Sequence, residues 1–439
     1  MIKKYVITSY IPNTEVNASF VRALNKFTEH KNATLQILQC KENYRLDNEQ
    51  PLELAIREEF GNTIITKPYN LSKHLHVSDF RISINTIDPL SGMESFAAKH
   101  GCMILPFPRH RFKVVPRMLK ESKTPRAIWC SGTISEPTTY KNNKSGTRMK
   151  DYHEIGALYV EVDDKTGKFN IRQLQFDGIG FYDLDLYFTE SKITTVRPEF
   201  LSMGDDHAVF QDPEIMNMTE EFILQYRPKA LFRHDTLDSA SISHHLEGKH
   251  LTKATVPWTL EEELKITSDS IARFDKLKFL KQYMVPSNHP DHLDRYIDEA
   301  RYKEDYPNHI LGLELAWAKA KGEELYEYSM RKFNDLKNTV FPKRKESIKI
   351  SGIELNDHGD QGASGSKGNP REKGITYAGN VITGHTHSPE IGVFNNFVNG
   401  TSTFLSLHYT KDSGSSNWLN THTLGYKNGK RTHIHFIKE

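Results

Sequence analysis

The feature that most constrains this chain is a series of short apolar segments, each followed directly by aspartate, asparagine or histidine. Each segment has the length and the β-branched or aromatic content of a β-strand. Because ligands of open α/β sheets lie beyond the carboxyl ends of the strands, we expect the polar side chains to meet at one edge of a sheet. The polar clusters are Asp205-x-His207, Asp235-x-x-Asp238, Asn288-His289, His358 and His385-x-His387.

Strand and helix patterns alternate through the part of the chain that carries these clusters. A long helix is predicted at Leu260–Gln282, from the spacing of its apolar residues. The tail from Ile391 alternates apolar and polar residues, which predicts further β-structure. The predicted strands are Glu199–Met203, Ala230–Phe232, Tyr283–Val285, Ile348–Leu355 and Gly379–Thr383.

The N-terminal part of the chain predicts a separate α/β unit. Strand and helix patterns follow one another in the order βαβα, which is typical of a small parallel sheet. At about 100–200 residues per domain, 439 residues predict two or three domains. We expect an α/β N-terminal domain at residues 1–194, for substrate binding or oligomer contacts, and a second domain at 195–439. The N-terminal elements are predicted at Lys4–Tyr10, Asn17–His30, Ala33–Cys40 and Leu52–Phe60.

The composition is that of an ordinary globular protein, with 37% hydrophobic and 26% charged residues. No apolar run is long enough for a transmembrane helix, and the first residues lack the apolar stretch of a signal peptide, so we expect a cytoplasmic protein. Three cysteines predict reduced, buried thiols. The net charge of +2 does not by itself imply a polyanionic partner.

The donor atoms of the polar clusters are carboxylate oxygen, amide oxygen and imidazole nitrogen, without thiolate. This set favours manganese, iron or zinc over a structural zinc cage. A carboxylate such as Asp235 could bridge two cations about 3.5–4 Å apart, the separation used in phosphoryl transfer. Water between the cations would be hydroxide near neutral pH and could attack phosphorus. The pattern therefore predicts a hydrolytic site with two metal ions.

In composition and order, the clusters resemble the signature of the calcineurin-like metallophosphoesterase superfamily over about Thr195–Glu439. The resemblance implies a β-sandwich flanked by helices, with two divalent ions, Mn²⁺ or alternatively Fe or Zn. The implied ligands are Asp205, His207 and His387 for the first ion, Asp235 as the bridge, and Asn288, His358 and His385 for the second ion.

The resemblance also implies catalytic roles for two residues that stay off the metals. His289 would protonate the leaving-group oxygen or stabilise charge on the phosphoryl oxygens. Asp238 would pair with His289 and keep it cationic. The sequence departs from the family pattern at three positions: His234 and Ser287 replace glycines, and Pro290 stands where an acidic residue is common.

Several further residues are candidates for substrate binding. The stretch Arg109–Arg126 carries seven basic residues and one acid, Glu121, with Phe107 and Phe112 interleaved. Such a strip could follow a phosphate backbone while the aromatic rings stack on bases, although a solvated basic surface has the same composition. Asp212 is interpreted as a turn or cap residue. The candidates are Arg109, Arg111, Lys113, His244, His245, His292 and Arg295.

The residues around the first and fourth clusters, Met203–Ala208 and His358–Gly365, resemble those of phage-encoded phosphoesterases. These include the early proteins of T5-like phages for host DNA degradation and, more distantly, the nuclease subunits of double-strand-break repair complexes. The resemblance predicts a DNA nuclease of the host cytoplasm, without a membrane partner and with a homo-oligomer or a partner protein as open alternatives. The alternative functions are a phosphatase of nucleotides or phosphoproteins and a non-catalytic scaffold stabilised by metal.

Overall fold

The computed structural model describes residues 1–40, 51–118, 126–243, 256–407 and 414–436, with the backbone alone for residues 51–55. These residues form a mixed α/β structure, which agrees with the predicted class. None of the helices in these segments has the length and apolarity that crossing a membrane would require. The helices are α1 (Ala18–Lys31), α2 (Pro51–Phe60), α3 (Glu94–His100), α4 (Lys144–Asp151), α5 (Pro213–Tyr226), α6 (Leu260–Asp275), α7 (Asp291–Asp298), α8 (His309–Ala320), α9 (Leu325–Phe333) and α10 (Pro370–Thr376).

The strands form six sheets within the described residues. They are β1 (Ile2–Tyr10), β2 (Thr34–Gln39), β3 (Ile64–Ile65), β4 (Tyr69–Ser72), β5 (Leu75–Val77), β6 (Cys102–Leu105), β7 (Phe112–Val115), β8 (Arg117–Met118), β9 (Arg126–Cys130), β10 (Gly156–Asp163), β11 (Phe169–Gln175), β12 (Gly180–Asp183), β13 (Leu186–Thr189), β14 (Ile193–Thr195), β15 (Phe200–Ser202), β16 (Ala230–His234), β17 (Lys281–Val285), β18 (Thr339–Val340), β19 (Lys349–Ile350), β20 (Ile353–Glu354), β21 (Ile382–Thr383), β22 (Glu390–Ile391), β23 (Phe397–Val398), β24 (Ser415–Ser416), β25 (Thr421–Gly425) and β26 (Arg431–His435).

A six-stranded sheet in the order β18-β17-β16-β15-β25-β26 carries the first three polar clusters. Strands β15 to β18 are parallel, and β25 is antiparallel to β15. Successive side chains of these strands point to opposite faces. Phe200 and Phe232 face one core cluster, whereas Leu201 and Leu231 face another that includes Ile215 of α5. Both faces are therefore buried, which explains why these strands are almost continuously apolar.

The N-terminal βαβα unit forms as predicted. Strands β1 and β2 are parallel neighbours in a five-stranded sheet of the order β11-β10-β1-β2-β3. Helix α1 connects them and begins at Asn17, whose side chain accepts a hydrogen bond from the backbone N–H of Phe20. The helix ends at Asn32 in the left-handed conformation. The strand and helix boundaries lie within two residues of the predicted ones.

An eight-stranded sheet contains strands from both sides of residue 195. Its order is β21-β23-β22-β7-β9-β6-β5-β4, and it is joined across the chain by β22 and β7, where Ile391 pairs with Phe112. The main core cluster likewise combines Ile7 and Phe112 with Phe200 and Val285. The predicted division at residues 194 and 195 is therefore not a boundary between sheets. That residues 1–194 and 195–439 fold as separate units stays a prediction.

The predicted helix Leu260–Gln282 is too long. Helix α6 ends at Asp275, and strand β17 begins at Lys281. Leu277 and Leu280 continue the apolar spacing of the helix, but they pack in the core from the turn that connects the helix to the strand. Periodicity alone could not distinguish these two arrangements, because a buried turn can place apolar residues at the same positions.

The strand predicted at Ile348–Leu355 is a hairpin of β19 and β20. Its two turn residues, Ser351 and Gly352, have φ values of 52° and 82°. A tight two-residue turn with positive φ at both positions matches the right-handed twist of the strands that it joins. The hairpin ends at Glu354, four residues before His358 of the fourth polar cluster.

The described part of the basic strip predicted to follow DNA is largely internal. Arg109 is fully buried and donates hydrogen bonds to the carbonyls of Ile87 and Val393, at 3.2 and 3.0 Å. Arg111 is also buried and pairs with Asp88 at 2.9 Å. The prediction that these two arginines contact substrate is therefore wrong, because their guanidinium groups bind the protein itself.

The other parts of the strip divide between buried, partly exposed and undescribed positions. Phe107 and Phe112 are fully buried and cannot stack on bases. Lys113 is partly exposed and forms an ion pair with Glu94, so its predicted contact with substrate stays a prediction. Residues 119–125 lie outside the described residues.

The three cysteines are buried, and no disulfide joins them. Burial raises the pKa of the thiols of Cys102 and Cys130 to about 12. Such thiols are protonated and unreactive at neutral pH. This agrees with the prediction of reduced, structural cysteines.

Replacing Arg109 by methionine should destabilise the fold. The change leaves the carbonyls of Ile87 and Val393 without their donor, so we expect the free energy of unfolding to fall by about 2 kcal/mol or more. Urea unfolding would measure it. The exposed residue Arg81 provides the control, since Arg81→Ala should change stability by no more than about 0.5 kcal/mol. Equal stability of the Arg109→Met variant and the wild type would contradict the structural role of Arg109.

Candidate metal centre

Neighbouring strand ends bring the five polar clusters to one edge of the structure. Asp205, Asp235 and Asn288 follow β15, β16 and β17, which are parallel neighbours. His358 and His385 follow β20 and β21, which are linked by a parallel bridge between Glu354 and Val381. The common direction of these strands explains why residues far apart in the chain converge.

The first group consists of Asp205, His207 and His387, all buried. The Nε2 atom of His387 lies 3.0 Å from Asp205 Oδ2 and 3.0 Å from His207 Nε2. Two atoms bound to one divalent ion at about 2.1 Å lie about 3.0–3.4 Å apart. The spacing of this group could therefore hold a metal ion.

The carboxylate of Asp235 lies between this group and the fourth cluster. Its Oδ2 atom is 3.7 Å from His207 Nε2, 3.6 Å from His289 Nε2 and 3.7 Å from His358 Nε2. These separations are too long for hydrogen bonds. The other oxygen, Oδ1, is buried and has no hydrogen-bond partner among the residues described. A buried carboxylate oxygen without a hydrogen bond is available to bind a metal ion.

The predicted second group contains His358, His385 and Asn288, of which His358 contacts the Asp235 carboxylate, at 3.7 Å. The ring centroids of His358 and His385 are 5.2 Å apart. Within the described segments, neither Asn288 Oδ1 nor His358 Nε2 has a hydrogen-bond partner, although both atoms are buried. These two atoms are further oxygen and nitrogen donors that a metal ion could use.

Four of the predicted ligands have an unusual backbone conformation. His207, Asp235, His385 and His387 have φ values of 38°, 50°, 72° and 56°. Residues other than glycine rarely adopt positive φ, which costs of order 1 kcal/mol or more for each residue. Such conformations persist only where the surrounding structure holds them, and they are typical of functional sites.

The charges of the centre stabilise one another in the absence of metal. Burial acts to raise the pKa of Asp235, but the charges of His289, His358 and His207 outweigh it and lower that pKa to about 2. Burial acts to lower the pKa of His207, but Asp235 and Asp238 outweigh it and raise that pKa to about 9. Bound cations would take the place of protons on the two predicted ligands His207 and His358.

Asp238 contacts two histidines in different ways. Its carboxylate Oδ2 lies 2.7 Å from Nδ1 of His207 and 3.6 Å from Nδ1 of His289. Its backbone carbonyl accepts a hydrogen bond from Nδ1 of His289 at 2.8 Å. The predicted contact between Asp238 and His289 thus runs mainly through the carbonyl, and the carboxylate is closer to His207. Both contacts leave the Nε2 atoms of the two rings facing Asp235.

His234, which the sequence presents only as a replacement for glycine, belongs to the centre. It is fully buried, and its Nδ1 atom lies 3.4 Å from Nδ1 of His358. With Asp205 and His358 it forms another group that could hold an ion. His234 is the last residue of β16 and has no positive φ, so glycine is not needed there. The signal that could have revealed it is a histidine directly before the bridging aspartate.

The predicted substrate-binding residues near the centre differ in their contacts and in whether the structure describes them. His292 stacks on His289, with ring centroids 5.5 Å apart. Arg295 pairs with Glu299 at 2.6 Å on a half-exposed surface of α7. Their contacts with substrate stay predictions, and His244 and His245 lie outside the described residues.

Asp212 caps a helix, as predicted. It lies at the N-terminus of α5, and its side chain accepts a hydrogen bond from the backbone N–H of Glu214. The carboxylate is thus used within the protein and is separate from the metal centre.

Two buried side chains outside the clusters anchor the loops of the centre. The backbone N–H of Gly204 donates to Nδ1 of His422 at 3.0 Å, and Nε2 of His422 lies 3.0 Å from the hydroxyl of Thr219. Glu263 accepts hydrogen bonds from the backbone N–H groups of Ala240 and Ser241 at 2.8 and 2.9 Å. The sequence offers no pattern that identifies either anchor, because each acts through tertiary contacts.

Comparison with known proteins gives one curated relative. The chain is 29% identical over 466 aligned positions to Protein A1 of Escherichia phage T5, and the alignment covers 99% of this chain and 82% of the relative. No family model matches the sequence. No solved structure matches it.

The anchor His422 should make the metal-free protein sensitive to acid. Burial lowers the pKa of this histidine to about 4, below the value of about 6.5 in the unfolded chain. Between pH 6.5 and 4 the unfolded chain therefore binds a proton that the folded protein does not, and stability falls with pH by up to about 3 kcal/mol. His422→Asn, which retains an acceptor for Gly204, should reduce this dependence.

Denaturant unfolding of chelator-treated protein across this pH range would measure the effect. The exposed residue His100 supplies the control, since His100→Asn should leave the pH dependence as in the wild type. Parallel stability profiles for the wild type and the His422→Asn variant would show that His422 does not carry the effect.

Proposed function

We propose that this protein is a metal-dependent phosphoesterase with two ions that hydrolyses phosphodiester bonds in DNA. The observation that carries the proposal is the buried carboxylate of Asp235, which lies 3.6–3.7 Å from three imidazole nitrogens without a hydrogen bond to any of them. A shared carboxylate between two groups of oxygen and nitrogen donors fits a pair of divalent cations.

The arrangement of the sheets and helices also supports this proposal. The six- and eight-stranded sheets contribute to one core cluster, and α5 covers the other face of the six-stranded sheet. We propose that this arrangement is the β-sandwich flanked by helices of the calcineurin-like metallophosphoesterases. The five clusters lie in the order of that superfamily at the strand ends.

The predicted ligands form two sets of donors, one for each proposed ion. Bound Mn²⁺ ions, or alternatively Fe or Zn, would supply a nucleophile from water and stabilise charge on the phosphoryl group. Asp238 orients His207 through its Nδ1 atom, as outer carboxylates commonly orient metal-bound histidines. Asp205, His207 and His387 would hold one ion, Asp235 would bridge, and Asn288, His358 and His385 would hold the other.

His289 is the proposed proton donor. Its Nδ1–H is occupied by the carbonyl of Asp238, which directs Nε2 towards Asp235. The ring is partly exposed, whereas the rings of His207 and His387 are buried. It can therefore reach a substrate at the mouth of the centre and protonate the leaving-group oxygen or stabilise the phosphoryl oxygens.

The choice of DNA rests on similarity and not on a described DNA-binding surface. The support is the similarity to a phage protein along nearly the whole chain and the motif resemblance to phage phosphoesterases and repair nucleases. The burial of Arg109 and Arg111 removes one argument for DNA. Phosphatase activity on nucleotides or phosphoproteins is therefore the alternative to be tested, and the proposed location is the host cytoplasm.

A direct activity assay distinguishes these alternatives. Purified protein with Mn²⁺ would be offered linear duplex, circular and single-stranded DNA, an aryl phosphodiester, an aryl phosphomonoester, nucleotides and a phosphopeptide. Cleavage of DNA supports the proposal. Hydrolysis of monoesters alone would favour the phosphatase, and no hydrolysis in the presence of bound metal would favour the scaffold.

Removing the bridge or a second-group ligand should abolish hydrolysis while the protein stays folded. We expect Asp235→Ala and His358→Ala each to lower turnover at least about 100-fold, since even outer partners of metal ligands contribute 10- to 100-fold. Asp335→Ala is the matched control, because its side chain is 73% exposed. Substantial Mn²⁺-dependent activity in both ligand variants, with circular dichroism unchanged, would refute the site.

His289→Ala should separate catalysis from metal binding. We expect turnover to fall about 100- to 10,000-fold, the usual contribution of a general acid, with metal content close to that of the wild type. Metal analysis and initial rates on the same preparation would measure both quantities. Near-normal turnover would remove the role assigned to His289.

A further inference from the structure

His234 is a fully buried histidine that belongs to neither predicted set of metal ligands. It is the last residue of β16 and directly precedes Asp235. Its Nδ1 atom lies 3.4 Å from Nδ1 of His358, and its Nε2 atom lies 3.3 Å from the hydroxyl oxygen of Ser202. Each nitrogen of this ring thus has a polar partner inside the protein, which the burial of the ring requires.

The contact between His234 and His358 restricts where a proton can lie. A neutral imidazole carries one proton, on either of its two nitrogens. Two Nδ1 atoms that face each other at 3.4 Å form a hydrogen bond only when one of them carries a proton and the other does not. When Nε2 of His358 binds a metal ion, the proton of that ring lies on Nδ1. Nδ1 of His234 is then the acceptor.

We propose that His234 is a positioning residue that holds His358 in the orientation and tautomer that bind the second ion. The inference rests on the proposed pair of metal ions, but not on the choice of DNA as the substrate. Metal-bound histidines commonly donate their other N–H to an acceptor within the protein, and this contact fixes the ring and its tautomer. Glycine, which the family pattern has at position 234, lacks a side chain that could make this contact.

Asp205 is the other candidate acceptor for His358, but it lies too far away. Its Oδ1 atom is 4.0 Å from Nδ1 of His358, which exceeds the length of a hydrogen bond. Its Oδ2 atom contacts Nε2 of His387 at 3.0 Å, within the first group. Asp205 is therefore placed to bind the first ion, and His234 is placed to orient His358.

A series of buried polar side chains holds His234 from the other side of its ring. The side-chain N–H of Asn399 donates to the hydroxyl oxygen of Ser202 at 2.8 Å. The Oδ1 atom of Asn399 accepts a hydrogen bond from the hydroxyl of Thr423 at 2.6 Å. Ser202, Asn399 and Thr423 are all fully buried. These contacts connect His234 to β15 and β25, and a turn of its ring would break the contact with Ser202.

A third ion between His234, His358 and Asp205 is the alternative use of these residues. It would require His358 to bind cations through both nitrogens, because its Nε2 atom faces Asp235. The separation of 4.0 Å between His358 and Asp205 also exceeds the roughly 3.0–3.4 Å expected for two atoms bound to one ion. The geometry therefore favours the hydrogen-bonded pair, and the number of ions bound by each chain distinguishes the two arrangements.

Titration of chelator-treated protein with Mn²⁺ tests the proposal through ion affinity and not through activity. We expect the wild type to bind two ions. His234→Leu should bind the first ion as the wild type does and the second about 10- to 100-fold more weakly, the usual effect of losing such a partner. His234→Asn, whose side chain can place an oxygen near the position of Nδ1, should restore most of the affinity. His234→Gln, whose longer side chain reaches towards Ser202, should behave like His234→Leu.

His110→Asn is the matched control and should leave both affinities unchanged. His110 is a fully buried histidine whose Nδ1 atom lies 3.4 Å from the carbonyl of Cys130, outside the centre. Wild-type affinity for the second ion in His234→Leu, or an equal loss of both ions, would overturn the proposal. A third ion that this variant loses would also overturn it. If the leucine variant does not fold, equal affinities of the Asn and Gln variants would overturn it.

Failure of the wild type to bind Mn²⁺ would refute the proposed metal centre, and this inference with it. Neutron diffraction of metal-loaded crystals gives an independent measurement of the proton positions. We expect deuterium on Nδ1 of His358 and on Nε2 of His234. Deuterium on Nδ1 of His234, or a ring of His358 turned away from His234, would contradict the proposed arrangement.

Discussion

The carboxylate of Asp235 is the group on which the rest of the centre depends. It is buried among His207, His289 and His358 at distances that are too long for hydrogen bonds. Its charge is stabilised by these histidines when they carry protons, and they lower its pKa, because a buried charge requires a counter-charge. Cations on its two sides would supply that counter-charge, and they would also use the unsatisfied atoms of Asn288 and His358. Bound cations would therefore stabilise the buried carboxylate and also supply the proposed chemistry of the centre.

Several separate elements of the fold hold the residues of the centre in place. Parallel strands end at the centre, where His207, Asp235, His385 and His387 adopt left-handed backbone conformations. Contacts outside the clusters hold these strained loops, among them the hydrogen bond from Gly204 to His422. Such conformations cost free energy, which the surrounding contacts must offset.

The sequence predicts the strand ends well and places the candidate donors after them, because apolar strands and the polar residues after them are local patterns. It could not reveal the burial of Arg109, whose partner Val393 lies 284 residues away in the chain. A line of basic residues looks the same whether it binds DNA or internal carbonyls. For the same reason, the sequence does not show that His234 belongs to the centre. The structure shows it, because His358 and Asp205 lie beside His234.

The most direct test of the account is the location of metal ions in crystals of the protein grown with Mn²⁺. Anomalous scattering at the manganese absorption edge would show each ion without dependence on activity. The account predicts two peaks about 3.5–4 Å apart, one on each side of the Asp235 carboxylate. A single peak, or peaks that do not contact Asp235, would contradict it.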